Sequence, residues 1–170
     1  MRSRHRVIQW GTGNVGFQSL RHILRHPGLE LVGVHAHSPE KLGRDAARLC
    51  GLPDDTGVVA TNDVAALLAL NADAVVYTVK GETRPTEVIP ELARILASGA
   101  NVASTAMIFL VYPSFADAQL RAPLEKACRQ GRSTLFVNGM DPGFSGDVLP
   151  LAALQIGDDI DEIRVQELCD

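Results

Sequence analysis

Val7-Ile8-Gln9-Trp10, followed at once by Gly11-Thr12-Gly13-Asn14-Val15-Gly16, is the stretch on which the reading of this sequence turns. Its first four residues are short and mainly apolar, as a parallel strand buried on both faces requires. The glycines then occupy the first, third and sixth positions of a turn. A helical run follows over residues 15–25, with Val15, Leu20, Ile23 and Leu24 apolar. A GxGxxG match alone is weak. It gains weight from a strand before it, a helix opening through it and a second strand about 20 residues on. In that setting Gly11 permits the tight turn, Gly13 lets a pyrophosphate approach the backbone, and Gly16 lets the helix pack close to the sheet. The free N–H groups at the helix start, aided by its dipole, then meet the phosphates.

Outward from this turn the chain alternates. His26-Pro27-Gly28 stops the first helix, and residues 29–35 form the second strand. Ser38-Pro39 opens a helix, with serine as N-cap and proline at the first helical position. Strands are predicted over 58–60, 74–79, 101–105 and 133–137. Helices are predicted over 63–70, 85–98 (closed by Gly99) and 114–129. Six strands alternating with helices predict an α/β fold, a doubly wound parallel sheet of the Rossmann type. Residues 147–156 read as a helix in which Asp147 serves the N-terminus and Pro150 is tolerated in the first turn or at a kink. Residues 160–168 alternate Ile160, Ile163 and Val165 with polar residues, the pattern of a half-exposed strand. A complete six-stranded sheet has no place for it. The expected division is a dinucleotide-binding domain over 1–157 and, over 158–170, the first strand of a second α+β domain that the chain otherwise lacks.

Composition narrows the function. The 170 residues suit one domain, 46% are hydrophobic and 21% charged, which is the globular range. A net charge of −4 gives no case for nucleic acid. Arg2, Arg4 and Arg6 abut an apolar strand and read as a solvated N-terminus. No apolar run reaches the roughly 18–20 residues of a membrane span, so no membrane partner is expected. Cys50, Cys128 and Cys169 are odd in number and far apart, neither a disulfide framework nor a zinc pattern, which suits a reducing cytoplasm. His5, His22, His26, His35 and His37 bring no acidic or thiol partners near them, and no metal site is expected.

Cofactor choice is read from the end of the second strand. An acidic residue that binds the adenosine ribose belongs near positions 35–37. The sequence has His35-Ala36-His37 there, then Ser38, Lys41 and Arg44. A carboxylate would repel a 2′-phosphate, whereas hydroxyl and cationic groups hold one, so NADP(H) is expected over NAD(H).

The strand and glycine turn, together with Ser104-Thr105-Ala106, Tyr112-Pro113 and Asp141-Pro142-Gly143-Phe144, resemble the dihydrodipicolinate reductase-like proteins. That group includes 2,4-diaminopentanoate dehydrogenase and the native amine dehydrogenases. The resemblance covers nearly the whole chain and implies hydride transfer between NAD(P)H and a C=N or C=O carbon of a small-molecule substrate. It also implies a C-terminal half that closes over the nicotinamide, lines the substrate pocket and forms a homodimer. Residues 158–170 are then the start of that half, and the 170 residues are incomplete for catalysis. Two positions depart from the group. Its amine dehydrogenases carry a glutamate between the fifth strand and the Tyr-Pro pair, where this chain has Ala106-Met107-Ile108-Phe109-Leu110-Val111. Asp141 also stands where relatives commonly have asparagine, so the nicotinamide contact falls to backbone groups of Asn138 and Gly139.

Loops after parallel strands gather at one sheet edge. Thr78, after the fourth strand, is expected to touch ribose or nicotinamide, and Ser104 ends the fifth. The catalytic acid or base stays unassigned, with Lys80, Tyr112 and Asp141 as candidates. Lys80 would need burial to give up its proton, and Tyr112 equally suits loop packing. The alternative to an oxidoreductase is a non-catalytic dinucleotide-binding module with a regulatory or sensor role.

Overall fold

Strands and helices follow one another in alternation. They are β1 (His5–Trp10), α1 (Asn14–Arg25), β2 (Leu29–His35), α2 (Ala46–Leu49), β3 (Ala60–Thr61) and α3 (Val64–Leu68). Then come β4 (Ala74–Tyr77), α4 (Pro85–Ala97), β5 (Asn101–Ser104), α5 (Ala118–Gly131), β6 (Leu135–Val137) and α6 (Leu149–Leu154). The computed structural model describes residues 4–166 and residue 168. All ladders are parallel and the strand order is β3-β2-β1-β4-β5-β6. The chain winds outward from β1 to β3, crosses over, and winds the other way from β4 to β6. The switch between β1 and β4 is where a Rossmann sheet opens a crevice.

Both faces of the sheet are covered, which is why β1 reads as an apolar run rather than an alternation. Val7, Val34 and Ala60 pack under Leu20 and Ile23 of α1 and Ala46 of α2. On the other face Ile8, Trp10, Val75 and Tyr77 pack under Leu92, Ile95 and Leu96 of α4, with Leu124 and Ala127 of α5 beyond. None of the described helices is long and apolar enough to cross a membrane.

Several expected boundaries move, each for a local reason. The helix after β5 begins at Ala118 rather than 114, because Pro113–Phe115 forms a separate 3₁₀ turn and Asp117 is the cap, accepting from Gln119 N at 2.7 Å. Ser38 makes no capping hydrogen bond, and Pro39–Lys41 closes only one 3₁₀ turn. Asp45 caps α2 instead, accepting from Ala47 N at 2.8 Å. The last helix opens earlier than expected, through a π-helical turn over Phe144–Val148 that holds Asp147, and Pro150 lies in the first turn of α6.

Arg6 is not merely solvated. Its backbone N–H donates to Asp73 Oδ2 at 2.7 Å and its guanidinium to the Leu70 carbonyl at 2.7 Å, tying β1 to the end of α3. The strand expected over 160–168 does not form among the described residues. Ile160, Ile163 and Val165 are 44%, 51% and 50% exposed, since an alternating pattern needs a neighbouring edge to pair with and none runs beside it. Arg2 and Cys169 lie outside the described residues.

Candidate functional site

At the C-terminal edge of β1, β2, β4 and β5 a cleft of 670 Å³ opens, within the range of small-molecule sites. The glycine turn from Gly11 through Val15 forms one wall. His37, Ser38 and Lys41 stand after β2, and Thr78, Lys80 and Glu82 after β4.

The three glycines of the turn stand in different surroundings. Gly11 has φ +94°, a conformation that side chains disfavour. Gly16 lies so close to the turn that a Cβ there would stand 2.2 Å from the Gly11 carbonyl oxygen. Gly13 has φ −76° and ψ −162°, open to any residue, and a Cβ there would meet nothing within 4 Å. The protein itself therefore gives no steric or conformational reason for glycine at 13. The space above it belongs to the cleft.

Side chains hold this turn from behind. Gln9 is fully buried and fully bonded: its Nε2 donates to the Gly11 carbonyl and to Thr78 Oγ1, both at 2.8 Å, and its Oε1 accepts from Ser19 Oγ at 2.5 Å. Thr78 Oγ1 also lies 3.2 Å from the Trp10 and Gly11 carbonyls. Thr78 thus lines the cleft, but its hydroxyl is committed to the turn rather than free for a ribose. Lys41 Nζ donates to the Thr12 carbonyl at 2.7 Å, which fixes a cation at the mouth of the turn.

Beneath the cleft lies a layer of aromatic and titratable groups. Trp10 stacks on His35 with centroids 4.2 Å apart and planes 12° from parallel. The Tyr77 hydroxyl donates to Glu91 of α4, and Glu91 and His35 both reach the cleft lining. Burial pushes the His35 imidazole below its ordinary pKa, against the upward pull of Glu91, which favours the neutral ring. Burial, the bond to Glu91 and its charge together hold the Tyr77 hydroxyl far above the ordinary phenol range. His35 Nδ1 and Trp10 Nε1 have no hydrogen-bond partner among the described residues.

Other expected site residues are placed differently. Gly16 packs behind the turn rather than in the cleft. Arg44 does not line it: Gly43, at φ +73°, turns the chain back so that the Arg44 carbonyl accepts from Ala60 N at 2.9 Å, and its side chain faces solvent. Ser104 is buried and its hydroxyl accepts from Ala106 N at 3.0 Å, inside its own loop. Asn138 and Gly139 line a second, mainly apolar pocket of 600 Å³ with Ile108, Val111 and Met140, and Val15 and Thr105 border both cavities.

Of the three catalytic candidates, Asp141 lines that second pocket. Lys80 lines the cleft but is exposed, without the burial its role requires. Tyr112 is 62% exposed and packs on Phe115, in neither cavity.

Gln9 behind the turn, and His35, Glu82 and Glu91 in the cleft lining, were not among the expected site residues. A polar residue inside an otherwise apolar strand was the available signal for Gln9. The last two act on partners far along the chain and carry no local signature.

No protein-family profile matches the chain. An amine dehydrogenase of Streptomyces virginiae is 43% identical over 164 residues, which make up 96% of this chain and 46% of that protein. An amine dehydrogenase structure from Mycobacterium smegmatis superposes with a TM-score of 0.77 at 27% identity, covering 94% of this chain and 46% of that one. A 3-ketoreductase from Actinomadura kijaniata, solved with NADP and TDP-benzene, matches with a TM-score of 0.63 at 17% identity over 90% and 42% of the two chains, a likeness of fold alone. The chain spans about half the length of the curated relative it matches.

Proposed function

We propose that the cleft holds a nicotinamide dinucleotide, NADP(H) in preference to NAD(H), and that the chain is the cofactor-binding part of an oxidoreductase acting on a C=N or C=O carbon. The observation that carries this reading is Gly13, a glycine with no internal cause at the point where a pyrophosphate must touch backbone. The relatives named amine dehydrogenase make an amine and its ketone the first substrate pair to test. The resemblance to dihydrodipicolinate reductase-like proteins supports the same chemistry at a C=N carbon.

When bound, the cofactor supplies or accepts a hydride at the substrate carbon. The N–H groups opening α1 and the Lys41 ammonium neutralise phosphate charge. Ser38, His37 and Lys41 favour a 2′-phosphate, with no carboxylate at the end of β2 to oppose it. The second pocket, with Asn138 and Gly139, takes the nicotinamide end beside Val15 and Thr105. Residues 1–157 form the dinucleotide-binding unit in this reading. Residues 158–170 lead into the part that completes the substrate site, which the greater length of the relatives supports.

Calorimetric titration with NADPH and NADH tests the binding claim, and absence of binding by both overturns it. A steady-state assay of the protein with amines, ketones and imines tests the chemistry. Tight NADPH binding without turnover of any of them, in a protein extended to the length of the relatives, favours the non-catalytic sensor module instead.

A further inference from the structure

We infer that Glu82 is a positioning residue that shapes the boundary between the two cavities by holding the loop after β5, an inference that rests on the dinucleotide reading above. Glu82 Oε1 accepts from Met107 N at 2.9 Å and Oε2 from Gly81 N at 3.1 Å. Met107 is fully buried and left-handed, at φ 65° and ψ 58°, a conformation that residues with a side chain rarely adopt. A backbone held in that shape needs its buried N–H satisfied, and a carboxylate is the stronger kind of acceptor. The preceding N–H, of Ala106, is satisfied by Ser104 Oγ at 3.0 Å. The loop is thus held by one side chain of its own and one from the loop after β4.

The two loops are also pressed together. A Cβ on Gly81 would lie 3.0 Å from Met107 Sδ and 3.1 Å from Ala106 Cβ, so the chain carrying Glu82 sits directly on the held turn. Thr105 before that turn borders both cavities, and Ile108 and Val111 after it wall the second pocket. Glu82 itself lines the first cavity. The stretch 106–111 has no carboxylate of its own, but one reaches its backbone from 25 positions earlier. Releasing Met107 would shift the wall against which the nicotinamide end rests and leave the glycine turn untouched.

The test compares NADPH with 2′-phospho-ADP-ribose, which lacks only the nicotinamide, by calorimetry on the wild type, Glu82→Ala, Glu82→Gln and Glu82→Asp. Hydrogen exchange at the Met107 amide is followed alongside. In Glu82→Ala that amide should exchange at least about tenfold faster and NADPH affinity should fall about tenfold, with 2′-phospho-ADP-ribose affinity unchanged. Glu82→Gln, which keeps an acceptor, should recover most of both. Binding of 2′-phospho-ADP-ribose by the wild type reports on the dinucleotide reading alone, and its absence sinks that reading. Equal loss for both ligands, or no loss with a fast Met107 amide, overturns the positioning role. If Glu82→Ala does not fold, Glu82→Asp must show the same split between ligands, and its failure to do so is equally decisive.

Discussion

The side-chain amide of Gln9 donates to the hydroxyl of Thr78 at 2.8 Å, joining the interior of β1 to the first residue past β4 across the switch point of the sheet. The same nitrogen supports the Gly11 carbonyl, so one buried side chain fixes the geometry of the glycine turn. Gln9→Leu fills the space but leaves the Ser19 hydroxyl and the Gly11 carbonyl only longer contacts of 3.2 Å, to the Gly16 carbonyl and to Thr78 Oγ1. The expected loss is about 2–3 kcal/mol in urea unfolding. A variant as stable as the wild type would show that these groups find other partners.

Gly13 and Gly16 should part company on substitution. Gly13→Val places its side chain in open cleft, so the melting temperature should hold while dinucleotide binding disappears. Gly16→Ala drives a Cβ against the Gly11 carbonyl and should destabilise the fold by about 1–3 kcal/mol. Thermal melts and calorimetry on both proteins separate the two effects. Normal binding by a folded Gly13→Val would move the phosphate site elsewhere.

Lys41 bears on cofactor choice. NADPH should bind more tightly than NADH by about 1–3 kcal/mol, and Lys41→Ala should remove most of that difference. Arg44→Ala should leave it nearly intact, because the Arg44 side chain is exposed and outside the cleft lining. Equal affinities in the wild type would dispose of the 2′-phosphate argument.

Asp45 should make acid stability depend on one loop. Burial works to raise its pKa, but the N–H groups of Thr56, Ala47 and Gly57 and the Thr56 hydroxyl outweigh that and hold it below the ordinary carboxylate value. A depressed folded pKa contributes stability above the unfolded pKa of about 3.9, and that contribution is lost as pH falls through the folded value. Asp45→Asn should therefore be less stable at neutral pH by about 1 kcal/mol, and the gap should start to close near about pH 4 and vanish as the pH falls through the depressed folded value. Parallel curves down to acid pH would remove Asp45 as the titrating group.

The sheet was legible because buried parallel strands advertise themselves as apolar runs: residues 29–35 were read as the second strand and Leu29–His35 is observed. Helix starts were less legible. Pro113–Phe115 carries the same residue types as a helical turn, and the cap two residues on, Asp117, decides where α5 begins. The glycine turn could be read because its parts are contiguous. The place of Arg44 was not legible, because its charge is visible in the sequence and the turn at Gly43 is not. Glu82 was illegible because its partner is 25 positions away and only the pairing of β4 with β5 brings them together.

The stack of Trp10 on His35 has an optical consequence. Trp10 is the single tryptophan of the chain, it is fully sealed from water, and the ring it lies against lines the cleft. Its emission should be blue-shifted. A reduced nicotinamide entering the cleft absorbs where indole emits, so excitation of this one residue should appear as light from the dinucleotide. The protein carries its own gauge of occupancy, and every variant above that spares Trp10 and His35 can be read with it, without a label.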